Sequence, residues 1–328
     1  MTLLLGRTDL EGLVDAPSAI RAIESTLRDI ALGKAFQPAP FTIPTGADDA
    51  KYVVMAAYDG TTQLAASKLL ADVPDNAVRG LPVQRSLIVL SSRADGAVVA
   101  VLDGRVPTRE RTAATTAVAT RALSRPESDV LGFIGTGALA EPHLRAIRLV
   151  RPIRSVLAWS RTDETAQRFA AIARSTGVAV EVVGEPAEVA ARADIICTLT
   201  PSRLPVLAGE WLPPGVHVNA VGAPPRPDHR ELDTRAVTRS TIFVDDLAAS
   251  IHESGDVVIP MQEGAITPDS LVATIGDVLA GLHPGRVDAD EITLFNSVGM
   301  GAEDLAIAAV YVDEAVRAGV GREFAFSA

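Results

Sequence analysis

The hexapeptide Gly135-Thr136-Gly137-Ala138-Leu139-Ala140 directly follows the β-type run "DVLGFI" and opens the helix-type stretch "ALAEPHLRAIRLV". The spacing fits G-x-G-x-x-G/A. The first glycine makes a tight turn, the second lets the backbone approach a pyrophosphate, and a small third residue lets the helix pack close. An ordinary strand-to-helix turn satisfies the same pattern, so the context has to decide. From Val130 onward strand and helix patterns alternate: "VLGFIG", a helix, "SVLAWS", a helix from Asp163 to about Ser175, "AVEVV", a helix around "PAEVAARA", "DIICTLT" and "VHVNAVG". Such alternation predicts a parallel sheet covered by helices. A helix N-terminus after the loop offers amide donors and a favourable dipole to phosphates. The stretch is therefore expected to bind a dinucleotide on a Rossmann-type domain.

Upstream the rhythm differs. "APSAIRAIESTLRDIALG" places Ile20, Ile23, Leu27, Ile30 and Ala31 at helical spacing, with Gly33 as its stop. Short β-type runs follow, "KYVVMAAY", "QLAASKLLADV", "RSLIVLSS" and "AVVAVLDG", separated by turn signals, which predicts a largely antiparallel or mixed sheet. The small-residue helix "TRERTAATTAVATRAL" leads to "SRPESD", which reads as a hinge, and "SVGMGAEDLAIAAVYVDEAVRAGVG" reads as a C-terminal helix returning to the first domain. The expected fold class is α/β. A Rossmann-type dinucleotide-binding domain over residues 126–299 accompanies an α+β substrate and dimerisation domain over residues 1–125 with 300–328.

Composition narrows the partners. A chain of 328 residues, 48% hydrophobic and 22% charged, suits a compact protein with apolar surface left for a subunit interface. Its net charge of −11 argues against nucleic acid or an anionic membrane, since both need a broad positive field. No window approaches a membrane span. The single cysteine, Cys197, excludes an internal disulfide, and "MTLLLGRTDL" has too short an apolar run for a signal peptide, so the expected location is the cytoplasm. His143, His217, His229, His252 and His283 show no metal-ligand spacing, and no metal is expected.

The second strand of the alternating region ends in Ser160-Arg161-Thr162, where an acid on the ribose hydroxyls would mark NAD. A guanidinium there pairs with a 2′-phosphate, so NADPH is expected ahead of NADH. Ser160 or Thr162 as a plain helix cap is the alternative, and Asp163 and Glu164 keep NAD open. Ligands of open parallel sheets lie beyond the carboxyl ends of the strands. Thr198, Thr200 and Pro201 end one strand, and Val221-Gly222-Ala223-Pro224-Pro225 ends the next. Both ends are expected to flank the nicotinamide as uncharged scaffold.

Charges for the pocket then have to come from the first domain. Lys68 shares a strand face with Leu64, Ala66 and Leu70 under period-two alternation. It is either a working buried lysine or one that snorkels to the surface. Arg111 falls in the first turn of "RERTAATTAVATRAL", where the helix dipole disfavours a cation without a nearby anion. Glu110, Asp103 or a substrate carboxylate could supply it.

Five stretches in order, "LDGRVPTRERTAATTAVATRAL", "IGTGALAEPHL", "WSRTDETAQRFA", "GEWLPPGVHVNAVGAPPRPDHREL" and "ESGDVV", resemble the ornithine cyclodeaminase and mu-crystallin family, over about Lys68 to Ala315. The resemblance implies a homodimer whose first domain carries the substrate site and the subunit interface. It also implies hydride transfer between nicotinamide and the α-carbon of an amino or imino acid. It assigns Lys68 to the family's pocket lysine, Arg111 to its carboxylate-binding arginine, Gly135, Gly137 and Ala140 to the cofactor loop, and Ser160, Arg161 and Thr162 to the segment that goes with NADPH. Two positions depart from the family. Pro40 in "QPAPF" stands where a second carboxylate-binding arginine is usual, with Arg79 or Arg85 as substitutes. Pro224 and Pro225 stand where cyclodeaminases carry an acid-base aspartate, with Asp228 a few residues on.

The expected activity is NADPH-dependent reduction of a cyclic or N-substituted ketimine, an imino acid, with Arg111 and Lys68 holding the carboxylate or relaying a proton. An amino-acid dehydrogenase or cyclodeaminase on the same scaffold is the alternative. A cofactor-bound binding protein is the reading outside catalysis.

Overall fold

Strands buried on both faces carry nearly continuous apolar sequence, and Val130–Ile134 (VLGFI) and Ile195–Thr198 (IICT) are of this kind. In the computed structural model, which describes residues 1–46 and 49–326, they lie inside an all-parallel sheet of eight strands. The order is Ala179–Val182, Ser155–Trp159, Val130–Ile134, Ile195–Thr198, His217–Ala220, Thr293–Asn296, Thr241–Val244 and Leu271–Thr274. The first five strands are those the sequence pattern shows; the last three are four-residue strands that the pattern beyond "VHVNAVG" does not reveal. Chain order reverses between Val130–Ile134 and Ile195–Thr198, which opens a crevice at their carboxyl ends. Both faces are covered. Phe133, Leu144, Phe169 and Cys197 pack on one side, where Phe133 and Phe169 meet edge to face at 5.1 Å. Ile134, Val189, Ile196, Val218 and Leu294 pack on the other.

These strands belong to a compact unit, Thr112–Gly299; the second unit joins Met1–Arg111 to Met300–Ala328. The sequence reading put the first division after residue 125, whereas the units divide inside the helix Arg105–Leu123. The reason lies in that helix's second half. Thr116 Oγ1 is 3.1 Å from His143 Nε2, and Asn219 Nδ2 donates to Thr120 Oγ1 at 3.0 Å, so these turns are built into the parallel-sheet unit.

The other unit is a mixed sheet in the order Arg322–Phe324, Thr2–Leu5, Val98–Asp103, Gln84–Ser92, Leu64–Asp72, Lys51–Asp59 and Ala35–Phe36, with Phe41–Pro44 also on Lys51–Asp59. Only the pairing of Thr2–Leu5 with Val98–Asp103 is parallel. The apolar start of the chain is thus a strand. Helices Ala16–Ala31 and Gly301–Ala318 pack against each other, and Gly301–Ala318 lies on the central strands. A Cβ on Gly301 would come within 2.8 Å of Ala56 O, so the start of this helix sits directly on strand Lys51–Asp59.

Period two sorts the sheet. Lys68 stands opposite Met55 and Ile88, on the face that Ala66 and Leu70 share. Leu69, one residue on, stands opposite Val54 and Leu87 on the other face, with Phe41 next in the row. On that outward face Leu69, Leu87 and Phe41 are 47%, 48% and 63% exposed. Among the described residues no helix is long and apolar enough to cross a membrane.

Candidate active site

The loop after Val130–Ile134 has the shape its glycines suggest. Gly135 adopts φ +99°, a left-handed conformation that an L side chain resists, and a Cβ there would meet Leu199 O at 2.8 Å. A Cβ on Gly137 would meet nothing within 4 Å, which leaves the approach to its backbone open. Ala140 is fully buried and begins the helix Ala140–Ile147, and Leu139 is its N-cap. Thr136 is buried with its Oγ1 unpartnered, while Ala138 is exposed at the turn. An open backbone cradle, an orphaned hydroxyl and a helix start fit a pyrophosphate.

Ser160, Arg161 and Thr162 follow Ser155–Trp159, which pairs with Val130–Ile134. Arg161 is exposed and carries no hydrogen bond or ion pair among the described residues. Thr162 is the N-cap residue of Asp163–Ser175, yet its side chain caps nothing and instead donates to Thr165 Oγ1 at 2.9 Å.

Next to the glycine loop lie the two strand ends. Val221 N and Gly222 N both donate to Thr198 O, at 3.2 and 3.0 Å. A Cβ on Gly222 would come within 2.0 Å of Thr200 N, so only glycine permits this approach. Beneath them sits a residue the sequence reading passed over, Glu231, which is fully buried. Its Oε1 accepts from Thr200 N at 2.6 Å and Thr200 Oγ1 at 2.7 Å. Its Oε2 accepts from Thr198 Oγ1 at 2.9 Å, Gly222 N at 2.8 Å and Ala223 N at 3.2 Å. Burial, and then repulsion from Asp256, push its carboxyl up to about 7 against these five donors. Asp256, from "ESGDVV", accepts from Glu231 N and Leu232 N at 2.9 and 2.8 Å, which ties that motif to "PDHREL". Burial raises Asp256 to about 6.

Pro224 and Pro225 are half-buried in the connection that follows. Asp228 does not fold back toward the strand ends; it is exposed, with Arg203 at 2.9 Å and His229 Nδ1 at 3.0 Å.

In the other unit, Lys68 is buried, only 2% exposed, so snorkelling is ruled out. Its Nζ donates to Thr108 Oγ1 at 2.7 Å and to Asp304 Oδ1 at 3.0 Å. Arg111 donates from Nε to the same Asp304 oxygen at 3.3 Å and from Nη1 to Glu303 Oε2 at 2.8 Å. Two cations and two acids thus form one buried cluster. Its acids, Glu303 and Asp304, come from the first turn of Gly301–Ala318, where the helix dipole favours negative charge. Burial lowers the Lys68 pKa; Asp304 opposes this and Arg111 adds to it.

Two expectations about Arg111 are corrected here. Its helix begins at Arg105, so Arg111 is in the second turn, beyond the reach of the argument from unsatisfied N-terminal amides. Pro107 lies within the first turn, which tolerates it. The partners from the sequence reading do other work: Asp103 Oδ1 accepts from Arg105 N at 3.0 Å, and Glu110 pairs with Arg109 at 3.2 Å. Arg85 shares the outward face with Leu87, opposite that of Lys68, and Arg79 is exposed in a turn. Among the described residues no three His, Cys, Asp or Glu side chains are placed to hold a metal ion.

A doubly wound sheet with an open glycine cradle, joined to a unit that buries Lys68 and Arg111, defines the class: a nicotinamide-dependent oxidoreductase of C=N and CH–NH bonds. More narrowly, residues 2–319 match the ornithine cyclodeaminase/mu-crystallin family, and the chain belongs to it. It is 36% identical to alanine dehydrogenase of Archaeoglobus fulgidus, over 99% of this chain and 98% of that one. It is 34% identical to ketimine reductase mu-crystallin of Mus musculus, over 86% of each. Delta(1)-pyrroline-2-carboxylate reductase of Thermococcus litoralis, solved with NADH and L-proline, superposes with a TM-score of 0.95 at 33% identity, over 98% of this chain and 100% of that one.

Proposed function

We propose that this chain reduces a cyclic or N-substituted ketimine bearing a carboxylate to the corresponding amino acid, with NADPH preferred to NADH. The observation that carries this reading is the buried pair Lys68 and Arg111, held by Glu303 and Asp304 on the apolar face of the mixed sheet. When bound, the dinucleotide supplies the hydride that the imine carbon accepts. Arg111 holds the substrate carboxylate through its guanidinium. Lys68 holds at Nζ the proton that reaches the imine nitrogen, and its depressed pKa makes that proton easier to give up. Protonation of the nitrogen makes the carbon electrophilic, and hydride plus proton complete the CH–NH bond.

The glycine loop, Thr198, Thr200, Val221 and Gly222 are assigned to the cofactor, and Pro224 to the wall beside the substrate. Preference for the 2′-phosphate rests on Arg161, an exposed cation without a protein partner. The outward apolar row of Leu69, Leu87 and Phe41 supports a homodimer through the mixed sheet. The lone buried Cys197 suits the reducing cytoplasm as the place of work.

The test is consumption of NADPH and NADH by the purified chain against cyclic ketimines and against 2-oxo acids mixed with amines. Turnover of at least one imino acid is expected; none at all would overturn the proposal. The likeness to an alanine dehydrogenase favours a second reading, oxidative deamination, in which the same hydride step runs backwards and water then hydrolyses the imine. Ammonia released from alanine, ornithine or lysine with NAD, without imine reduction, would move the assignment there.

A further inference from the structure

We propose that Glu231 is a positioning residue of the nicotinamide end of the cofactor site, a side chain that holds the two strand-end segments in the shape that receives the nicotinamide. The inference rests on the dinucleotide reading above and concerns only the parallel-sheet unit.

Two backbone bonds, from Val221 N and Gly222 N to Thr198 O, join the segments directly, and Glu231 adds a side chain that both segments share. Thr198–Thr200 and Gly222–Ala223 leave adjacent strands and pass within van der Waals limits of each other at Gly222. At their carboxyl ends the ladder hydrogen bonds stop, and amides that turn away from it need acceptors. Glu231 accepts from both segments at once, one oxygen chiefly serving Thr200 and the other Thr198, Gly222 and Ala223. Three of the five donors are backbone N–H groups, which cannot reverse. An amide at this site would direct its NH2 at a backbone N–H, and a protonated carboxyl would lose one of its five incoming bonds, because a threonine hydroxyl would have to turn to accept its proton. The anionic form is therefore the one that holds both segments.

The segments so held are those that border the glycine loop, since a Cβ on Gly135 would meet Thr200 Cγ2 at 2.7 Å as well as Leu199. In a doubly wound sheet the adenosine half lies along the strands on one side of the switch point and the nicotinamide half on the other. Ser160–Thr162 falls on the first side, and the segments that Glu231 joins fall on the second. A fault at Glu231 should therefore reach one half of the dinucleotide and spare the other. A residue that served stability alone would affect both halves equally.

Charge around Glu231 is asymmetric. The strand ends present neutral hydroxyls and amides, and helix Gly255–Gln262 presents Asp256, whose repulsion helps to raise the Glu231 pKa. Arg226, His229 and Arg230 lie on its own segment, and Arg230 acts on Asp256. Protonation of Glu231 should thus begin near neutral pH and loosen the nicotinamide end.

The experiment compares the full-length chain with Glu231→Gln. Affinities for NADPH and NADH, and for AMP and ADP-ribose, are measured by calorimetry from pH 6 to 8.5. Glu231→Gln should weaken both intact dinucleotides on the order of tenfold, the effect of leaving buried donors unmatched, and leave AMP and ADP-ribose within about twofold. In the wild type, NADH affinity should fall below about pH 7 with ADP-ribose unchanged, since neither ligand has a phosphate monoester that titrates in this range, and this pH dependence should vanish in the variant. Glu231→Asp keeps the charge but is too short to reach both segments, so it should show the same split if Glu231→Gln does not fold. Equal losses for all four ligands, no loss, or collapse of both variants would overturn the inference. A wild-type chain that binds no dinucleotide would instead sink the nucleotide reading itself.

Discussion

The two units arrange their buried charge in different ways. The mixed-sheet unit buries full cations, Lys68 and Arg111, and balances them with Glu303 and Asp304. The parallel-sheet unit leaves the backbone at Gly137 open to approach, and its buried acids Glu231 and Asp256 accept from neutral amides and hydroxyls. The group displaced from its ordinary titration range therefore differs: the lysine in one unit, the carboxyls in the other. Removing a member of the first cluster strands an opposite charge in an apolar interior. Removing one from the second changes shape and local pH response instead. A strongly acidic chain can bind phosphates by the second device because no net positive field is needed.

The largest effect is expected at Lys68. Lys68→Met keeps an apolar stem on the sheet face but removes the proton and leaves Asp304 to Arg111 alone. Steady-state turnover of the imino acid should fall by about 10² or more, the usual contribution of a positioned acid. Wild-type turnover should also decline as pH rises through the lowered Lys68 pKa, below the ordinary lysine range, because the proton donor is then lost. Retention of full turnover by Lys68→Met would remove the lysine from the site and break the contrast between the units.

Stability tests the same contrast. Asp304→Asn keeps an Oδ1 acceptor but removes the negative charge that balances two buried cations, and should cost about 3 kcal/mol in urea unfolding at pH 7.5. Asp256→Asn keeps the Oδ1 acceptor of Glu231 N and Leu232 N and removes the repulsion from Glu231, so it should cost far less or even stabilise. The pH dependence follows in sign. Glu231 and Asp256 have folded pKa values raised to about 7 and about 6, so their contribution is fully present below the ordinary carboxyl pKa and is lost as pH rises through the raised values. Asp256→Asn should flatten wild-type stability between about pH 4 and 7, and equal costs for the two substitutions would erase the distinction.

Which parts could be read from the sequence follows from the range of the interactions. The strand face of Lys68 is legible because period-two alternation is local and sets it beside Ala66 and Leu70, whereas its burial, which the sequence left open against snorkelling, depends on the distant helix that covers that face. The glycine loop is legible because strand, turn and helix adjoin. Asp304 is 236 positions from Lys68, and nothing local pairs them; the available hint was an acid pair in the first turn of an Ala-rich helix, directly before the apolar run from Leu305 to Val312. Glu231 stands in a polar cluster, "PDHREL", that reads as solvated loop, while Asp228, the acid that the family comparison brings forward there, is the exposed one. The helix start at Arg105 was hidden by Pro107, which looks like a breaker although the first turn accepts it. Three four-residue strands of the parallel sheet escaped where the equally short Ile195–Thr198 and His217–Ala220 did not, because the irregular stretches 221–233 and 280–292 interrupt the strand–helix alternation that marked the others.

The smallest effect is expected at Arg161, which resembles neither cluster. It is a cation like Arg111, but it is exposed and has no acid beside it. Its removal leaves no stranded partner, so Arg161→Ala should leave the unfolding midpoint unchanged within error. A surface guanidinium on a phosphate is screened by water and salt, so its loss should weaken NADPH about tenfold while NADH binding stays as it was. The Thermococcus relative was solved with NADH, so family membership does not by itself settle the choice of nucleotide. Equal affinity of the wild type for the two nucleotides would leave Arg161 as ordinary surface charge. The nucleotide region would then rely on neutral donors throughout, which makes its contrast with the charged cluster around Arg111 complete.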